Sequence, residues 1–543
     1  MSSSGESEAS TAETVEALAS GDAPRKRRLA RATAIFALAT GVSRVLGLVR
    51  EVVAAYYFGA TGRINAFTVA FQIPNLVRAL VADVALSSAF VPVFSELLEK
   101  GDRKRAWRVA SSLFWLMLLG LGGLTALFML AAPLVLDIFG NPGGDKALAV
   151  GLSRVLFPIV AMLGVSGIVV GILNSYEHFA VPALTPVFWN LAIILGLVIG
   201  VPQAHTTSSK LYVYAVAILI GTVIQVLLPI PWLRGRDDRL RVVIDIHDPA
   251  VKRVFLLMLP VTLSLGLINF NAVVDTLFAS RLIDPRLAPT AIDKAFRIYM
   301  LPQGMFSVAV ATVLFPALSR LAARGDEVGF RDTVSLGLRQ IGFLLIPASA
   351  VCAALSEPIV RLLYQRGQFH PGQTPIVAGA LAAFSAGLTF NGTMLMLNRA
   401  FFSLQSNWIP TTIAVGNLAL NAILDAAFYR LGVWGIPLST SVVNIAGTAA
   451  LVYLLRQRLR RLELTSTLEA YVLIAIASGA AAGAGFGVWW ALDHELGRSF
   501  AAQLFSLGLG LAAAVDAYVI SAILLRIREF GALLSLRPRV RVR

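Results

Sequence analysis

The chain has 543 residues, of which 57% are hydrophobic and 14% are charged, and its 46 basic and 31 acidic residues give a net charge of +15. Soluble proteins usually carry about 25% charged residues, so this composition excludes a soluble enzyme and a disordered scaffold, and the single cysteine excludes a disulfide-stabilised secreted domain. Long apolar runs without alternation also argue against an outer-membrane barrel, and they predict an all-α polytopic membrane protein.

The first 31 residues are predicted to form a disordered, basic tail, because residues 1–24 are polar without an apolar period and a basic cluster follows them. A cleaved signal peptide shows a similar order of basic and then apolar residues, but the helices that follow need no separate export signal. About fourteen apolar spans are predicted, each long enough for a membrane helix. They lie near residues 32–58, 65–98, 107–132, 148–175, 181–203, 211–234, 252–282, 296–322, 335–355, 374–402, 408–430, 434–457, 468–492 and 500–527.

Positive charge is concentrated in alternate loops. If the N-terminus lies in the cytoplasm, the inner loops contain basic clusters, whereas the outer loops contain isolated cations. The clusters lie at residues 100–108, 234–253, 320–339, 456–461 and 537–543. Because cytoplasmic loops of membrane proteins collect Lys and Arg, this bias predicts an even number of spans with both termini in the cytoplasm.

Two parts of the sequence repeat each other. The matching positions are Pro74 and Pro92 with Pro302 and Pro316, and Pro182 and Asn190 with Pro410 and Asn417. Internal repeats with proline-broken helices are typical of transporters, whose sites lie between the repeats. We therefore predict two pseudo-symmetric six-helix lobes and a final helix pair. The predicted parts are a tail (1–31), an N-lobe (32–234), a cytoplasmic linker (235–251), a C-lobe (252–457), helices 13 and 14 (468–527) and a basic cytoplasmic tail (528–543).

Several charged and polar side chains fall inside the predicted spans, where a charge costs at least about 3 kcal/mol. The candidates for substrate binding are Arg44, Arg50, Glu51, Asn75, Arg78 and Arg297. One interpretation is that Arg44 pairs with Glu51 on the same helix face while the other arginines reach the membrane interface. The other is a cationic cavity for an anionic substrate, because arginines from converging helices bind phosphate in a bidentate manner.

A second set of polar residues recurs at four-residue spacing, which places side chains on one helix face. The set comprises Asn271 and Asp275 on the seventh span, Asn417, Asn421 and Asp425 on the eleventh, and Thr440 with Ser441 on the twelfth. Two carboxylates with amide and hydroxyl oxygens suit a dehydrated Na⁺, and transporters place such sites beside broken helices. Alternatively, these groups only hydrogen-bond neighbouring helices, or one buried carboxylate binds a proton.

Six motifs resemble, in order, those of the MurJ (MviN) family of lipid II flippases. They are Ser43-Arg44-Val45-Leu46-Gly47-Leu48-Val49-Arg50-Glu51, Phe58-Gly59-Ala60, Pro74-Asn75-Leu76-Val77-Arg78, Ser87-Ser88-Ala89-Phe90-Val91-Pro92, Phe179-Ala180-Val181-Pro182-Ala183 and Arg366-Gly367-Gln368-Phe369. The resemblance covers about residues 32–530. It implies the fold of the multidrug/oligosaccharidyl-lipid/polysaccharide exporter superfamily and alternating access without ATP, which agrees with the lack of a P-loop motif.

The resemblance also implies roles for individual residues. The family's cavity arginines match Arg44, Arg50, Arg78 and Arg297, and its sodium ligands fall near Asp275, Asn421, Asp425 and Thr440. Helices 13 and 14 resemble a pair that borders a groove for the lipid tail, although they could simply add packing surface. The chain departs from the family at Asn65, where many members have Asp, and at Met300, where some have Glu. A proton or salt-bridge role is therefore not expected at either position.

The resemblance favours a lipid II flippase of the bacterial cytoplasmic membrane, working as a monomer among membrane phospholipids, with no nucleic-acid partner, no enzyme activity and no cofactor except Na⁺. One alternative is a flippase for another polyprenyl-linked oligosaccharide. Another is a cation-coupled drug exporter, although the cavity arginines would repel cationic drugs. A membrane glycosyltransferase is a third alternative, but it would need a large outer loop, and every predicted outer loop is short.

Overall fold

The computed structural model describes residues 38–530 except 82–83, 140–144, 177, 179, 407 and 460–463. Every regular element in these ranges is helical, which confirms the predicted all-α class. The predicted tail at residues 1–31 and most of the predicted tail at 528–543 lie outside the described residues.

Eighteen helices are numbered in chain order within the described ranges. They are α1 (38–58), α2 (Ile64–Val81), α3 (Val84–Glu99), α4 (Arg103–Phe139), α5 (Lys146–Leu156), α6 (Pro158–Ser175), α7 (Ala180–Leu195), α8 (Thr207–Leu227), α9 (Pro249–Phe278), α10 (Ala288–Pro302), α11 (Val308–Arg324), α12 (Glu327–Ala354), α13 (Ser356–Tyr364), α14 (Thr374–Ser403), α15 (Trp408–Phe428), α16 (Gly435–Leu459), α17 (Leu464–Leu496) and α18 (Phe500–Leu524).

The predicted spans correspond to these helices, and two of the spans are divided in two within the described residues. The fourth is divided between α5 and α6, where Pro158 cannot donate a backbone hydrogen bond. The eighth is divided between α10 and α11 by a π-helical turn, Gln303–Ser307, which follows Pro302. Ten helices in the described ranges are long and apolar enough to cross a membrane. That number is consistent with the predicted fourteen spans without confirming the count.

The chain divides into two compact units, and the first comprises residues 38–50, Val77–Leu130 and Arg154–Leu263. Its core includes Phe90, Phe94 and Trp107; the rings of Phe90 and Phe94 lie 5.1 Å apart, and Trp107 packs edge-on against Phe94. Gly171 of α6 lies against Phe90, where an added Cβ would come within 2.6 Å of the ring. The helices can therefore pack closely only because this position lacks a side chain.

Between α8 and α9, residues 236–248 form an irregular segment that we call the strap, and it is tied along the first half of α4. The indole of Trp115 donates to the carbonyl oxygen of Arg241 at 2.9 Å. The backbone amide of Arg241 donates to Ser111 Oγ at 3.0 Å, and that of Asp245 donates to Ser112 Oγ at 3.2 Å. Two adjacent serines on α4 therefore replace the backbone partners that the strap lacks.

Ion pairs fix both ends of the strap. Arg103 pairs with Asp237, which also accepts a hydrogen bond of 2.7 Å from the Tyr176 hydroxyl, and Arg105 pairs with Asp248 at 3.2 Å. The hydrogen bond from Tyr176 lowers the pKa of Asp237, and Arg103 lowers it further. Burial and the contact with Asp237 raise the pKa of Tyr176 to about 12. Asp237 is therefore an ionised anchor, and Tyr176 stays protonated.

The second unit comprises Glu51–Leu76, Ala131–Ser153 and residues 264–530 of the described chain. Its core lies around α14, where Phe384, Leu388 and Phe401 are fully or almost fully buried. The final helices α17 and α18 pack against α12 within this unit, and the hydroxyls of Tyr471 and Tyr518 donate to backbone carbonyls of α12 at 2.8 and 2.7 Å. Each of these half-buried tyrosines thus satisfies its hydroxyl on a neighbouring helix.

We expect Asp237→Asn to change how the stability of the protein depends on pH. Because the folded-state pKa of Asp237 is lowered, its stabilising contribution is complete above the unfolded value of about 3.9 and is lost as the pH falls through the folded value. The apparent melting temperatures of wild type and variant should therefore differ near neutral pH and converge in acid. Asp332→Asn, at an exposed carboxylate on α12, is the control. A difference that does not depend on pH would contradict this assignment.

Candidate functional site

Arg50 of α1, one of the arginines predicted to bind substrate, lies in the first unit. Its side chain is buried; its guanidinium donates to Asn190 Oδ1 at 3.2 Å and lies over the Trp189 ring at 4.8 Å from the centroid. Asn190 in turn donates to the carbonyl oxygen of Pro186 one turn earlier on α7. The arginine is therefore held by an aromatic face, which attracts a cation, and by a fixed amide oxygen.

The other predicted residues are divided between the two units. Arg44, which is exposed, and Arg78, which is half-buried at the end of α2, belong to the first unit together with Arg50. Glu51, the half-buried Asn75 and Arg297 belong to the second. Asn190 was noticed in the sequence only as a repeat of Asn417, and its contact with Arg50 gives it a role that the repeat did not indicate.

In the second unit, Arg297 of α10 is paired with two carboxylates. Its Nε lies 3.2 Å from Glu51 Oε1 and 2.9 Å from Asp293 Oδ2. Glu51 is buried, whereas the side chains of Arg297 and Asp293 keep about a third of their surface exposed. The interpretation that Glu51 pairs with Arg44 is therefore replaced by a pair between Glu51 and Arg297. Asp293 precedes Arg297 by four residues, a spacing that the sequence alone could have revealed.

Lys294 adds a buried cation next to this pair that the sequence analysis missed. It is 3% exposed, and its ammonium lies 5.0 Å from the centroid of the Tyr364 ring, with Glu51 and Asp293 as its attractive electrostatic neighbours. The cluster thus contains two carboxylates and two cations. Buried charges are tolerated when they are paired in this way.

Asn65, at one of the two positions where the chain departs from the family, is the centre of a hydrogen-bond network in the second unit. Its Nδ2 donates to the carbonyl oxygens of Ala60 at 3.0 Å and Arg286 at 2.6 Å, and its Oδ1 accepts from the amide of Thr290 at 2.9 Å. These contacts connect the turn between α1 and α2 to the start of α10. The side chain is fully buried, so each bond replaces one that water would otherwise make.

Gln373 extends this Asn65 network to the start of α14. Its Oε1 accepts from the amide of Ala60 at 2.9 Å, and its Nε2 donates to Thr61 Oγ1 at 2.8 Å. Two glycines with positive φ allow the backbones to approach: a Cβ on Gly59 would lie 2.5 Å from the Gln368 carbonyl oxygen, and one on Gly367 would lie 2.3 Å from the Tyr56 carbonyl oxygen. The family motifs around these glycines therefore encode a backbone contact.

The second predicted set forms a compact cluster on α9, α15 and α16. The Asn421 amide nitrogen donates to Asp275 Oδ1 at 2.6 Å and to Asp425 Oδ2 at 3.0 Å. Thr440 lies within hydrogen-bonding reach of Asp275. Asn421 and Asp425 are fully buried. The structure thus brings together all four residues that the family resemblance placed near a sodium site.

Ser439 is a further member of this cluster that the sequence analysis did not include. Its hydroxyl donates to Asp425 Oδ1 and to Asn421 Oδ1. Two expected members lie elsewhere: Ser441 donates to the Ala383 carbonyl oxygen of α14, and Asn417 contacts Met394. Consecutive residues on a helix point about 100° apart, so the rotation of α16 selects Ser439 and Thr440 over Ser441.

The donor set fits a hard monovalent cation better than a transition metal. Two carboxylates, an amide and two hydroxyls supply oxygen ligands, and no group of three or more His, Cys, Asp or Glu with metal-site geometry occurs among the described residues. The positive NH₂ end of Asn421 lies between the carboxylates, where a cation would lie. Rotating the amide by 180° would present its oxygen to a cation and its nitrogen to Ser439.

Apolar helices, with ion pairs and buried polar clusters among the described side chains, define this chain as a polytopic membrane protein with polar sites in its interior. The family model described as lipid II flippase MurJ matches residues 54–507, most of the chain. The chain therefore belongs to the lipid II flippase MurJ family.

Individual proteins agree with this family assignment. The lipid II flippase MurJ of Burkholderia cenocepacia is 31% identical over 77% of this chain and 82% of its own length, and the probable lipid II flippase MurJ of Vibrio cholerae is 32% identical over 78% and 82%. A structure of lipid II flippase MurJ in an inward closed conformation matches 90% of this chain and 98% of its own, with a TM-score of 0.74 and 25% identity. An inward-facing MATE-family multidrug transporter shares the fold alone, with a TM-score of 0.67 and 17% identity over 78% of this chain and 96% of its own.

We expect Asn65→Asp to weaken the Asn65 network in a pH-dependent way. An ionised carboxylate cannot donate to Ala60 or Arg286, and it would face their carbonyl oxygens, so we expect a loss of about 1–3 kcal/mol in the free energy of unfolding near neutral pH. Lowering the pH should restore part of the stability, because protonated Asp regains one donor. Thermal unfolding across pH tests this, with Gln203→Glu at an exposed amide as the control. A stable Asn65→Asp variant would contradict the network's importance.

Proposed function

We propose that this chain moves lipid II, the undecaprenyl-pyrophosphate-linked peptidoglycan precursor, from the inner to the outer leaflet of the bacterial cytoplasmic membrane. Membership of the lipid II flippase MurJ family, matched over residues 54–507, carries this proposal. We also propose that the chain works by alternating access, functions as a monomer among membrane phospholipids, and has both termini in the cytoplasm. The basic clusters in alternate loops support the cytoplasmic position of the termini.

We propose that Arg44, Arg50, Arg78 and Arg297 contact the pyrophosphate, and that Asn75 and Glu51 also take part in substrate binding. A guanidinium presents paired N–H donors that match two phosphate oxygens, and it remains charged at any physiological pH. Arg50 supports this role, because Trp189 and Asn190 hold its guanidinium in a defined position.

Arg297 needs a different explanation, because Glu51 and Asp293 already engage it. Exchanging one carboxylate for a phosphate oxygen keeps the guanidinium paired at every stage. The same exchange releases a buried Glu51, whose charge then needs another partner, and Lys294 is the nearby cation. Substrate binding would therefore rearrange this charge cluster.

The Asn65 network offers a structural basis for alternating access. It ties the turn between α1 and α2 to α10 and α14, so these elements can separate only if the hydrogen bonds break. Hydrogen bonds to neutral amides each contribute about 1 kcal/mol. A few such bonds can be broken and re-formed in every cycle.

We further propose that Asp275, Asn421, Asp425 and Thr440, with Ser439, hold a coupling Na⁺. The support is the convergence of two carboxylates with neutral oxygen donors on three helices. The Asn421 NH₂ group that now bridges the carboxylates would rotate away when the ion binds. Ion binding would thereby alter the packing of α9 against α15.

Charge reversal at Arg297 tests the substrate site. In cells depleted of their own flippase, wild type should restore growth and the access of lipid II to the outer leaflet. Arg297→Glu should abolish both, because it repels the pyrophosphate and Glu51, while Arg297→Lys should retain part of the activity as a point charge. Arg498→Glu, at an exposed loop position, is the matched control.

The same cells separate the alternatives. Well-expressed wild type that fails to restore lipid II access would point to another polyprenyl-linked oligosaccharide, and resistance to cationic drugs would point to a drug exporter. Normal growth of cells that carry Arg297→Glu would contradict the proposed role of Arg297 in substrate binding, but not the proposed transport of lipid II.

Sodium binding is tested on purified protein by thermal unfolding in NaCl and in choline chloride of equal ionic strength. Wild type should be stabilised by Na⁺, by about 2.7 kcal/mol at one hundred times Kd. Asp425→Asn should lose this response, while Asp516→Asn, a change at an exposed carboxylate of α18, should keep it. Equal melting temperatures of wild type in the two salts would overturn the sodium site.

A further inference from the structure

A groove in the first unit lies outside all the sites described so far. Its volume is about 480 Å³, and it lies between Ile246 of the strap and the first turns of α9. The walls are almost entirely apolar, from Phe255, Leu256, Met258 and Leu259, and Lys252 lies among the lining residues. Its size is within the range of about 300–1,000 Å³ that ligand pockets occupy.

The strap presents a row of apolar side chains beside this groove. Val242, Ile244 and Ile246 alternate along the segment and are 77%, 49% and 55% exposed. The intervening part of the strap is fixed, because the amides of Arg241 and Asp245 donate to serines of α4. A row of exposed aliphatic side chains on a fixed backbone is costly in water, and it indicates an apolar environment.

The same end of the unit is strongly basic. Residues 102–108 and 234–253 contain ten basic and five acidic residues. Three of the four acidic side chains of the strap are ion-paired: Asp237 with Arg103, Asp238 with Arg241, and Asp248 with Arg105. The fourth, Asp245, accepts hydrogen bonds from two backbone amides of the strap, and Arg253 pairs with Glu96 of α3. An excess of positive charge therefore remains beside the apolar row, and a ligand that fits here is anionic.

We propose that this groove binds one anionic phospholipid of the bilayer, with its phosphate at Lys252 and an acyl chain along Phe255, Leu256 and Leu259, while the strap lies in the headgroup layer. The order of residues matches a lipid, since Lys252 precedes Phe255 by about 4.5 Å and Leu259 by about 10 Å along the helix. Apolar walls would not retain a free phosphate, so the ligand is a lipid.

A photoactivatable phosphatidylglycerol with a diazirine on its acyl chain tests the proposal. The full-length protein in nanodiscs should be labelled within residues 255–262, as mapped by mass spectrometry. Lys252→Glu should reduce this labelling at least about fivefold, the factor that one lysine at an anionic membrane surface is worth. Met258→Trp should reduce it by filling the groove while leaving Lys252 in place. Arg324→Glu, an exposed basic residue at the end of α11, is the matched control and should be labelled like wild type.

A phosphatidylcholine probe with the same diazirine separates a built site from ordinary annular lipid. Specific binding requires stronger labelling by the anionic probe at the groove. Equal labelling by both probes, or unchanged labelling of Lys252→Glu, would overturn the proposal. Because the measurement is of binding, it does not depend on whether the chain moves lipid II.

Discussion

The cost of an unpaired charge in an apolar environment governs the polar interior of this protein. Three cases among the described residues show how such charges are compensated: Arg50 has the Trp189 ring and the Asn190 amide, Glu51 has Arg297, and the pair Asp275 and Asp425 has the Asn421 amide between them. These contacts allow charged side chains to exist within apolar spans. They also determine which groups a ligand must replace.

The charged groups around Arg297 and those around Asp275 and Asp425 are compensated in the same way, with opposite signs of charge. Around Arg297, protein carboxylates occupy the positions that we assign to phosphate oxygens. Around Asp275 and Asp425, an amide NH₂ occupies the position that we assign to a cation. A protein group that resembles the ligand keeps each site satisfied without it, and binding then becomes an exchange of partners. Such an exchange avoids the full penalty of exposing a buried charge.

Hydropathy predicted the helices well, because a bilayer demands long apolar segments whose backbone groups bond within the helix. It did not predict α13, since this nine-residue helix is short and amphipathic, with Arg361 paired to Asp493. The candidate site residues were selected because they are charged or polar within predicted spans, but their partners were not predicted. Sequence spacing could have suggested that Asp293 pairs with Arg297, whereas Glu51 and Ser439 depend on how separate helices rotate against each other, and no local pattern records this.

Beside the Asn65 network, Gly59 lies against the backbone of Gln368 and Gly367 lies against the backbone of Tyr56, with no space for a methyl group on either glycine. The methyl group of an alanine at either position would clash with the facing backbone. Such a substitution would leave the membrane-spanning helices intact but would oppose the closure of this contact. Such alleles would shift the balance of conformers without touching a ligand-binding side chain. They offer a genetic means of populating the alternative state for structure determination.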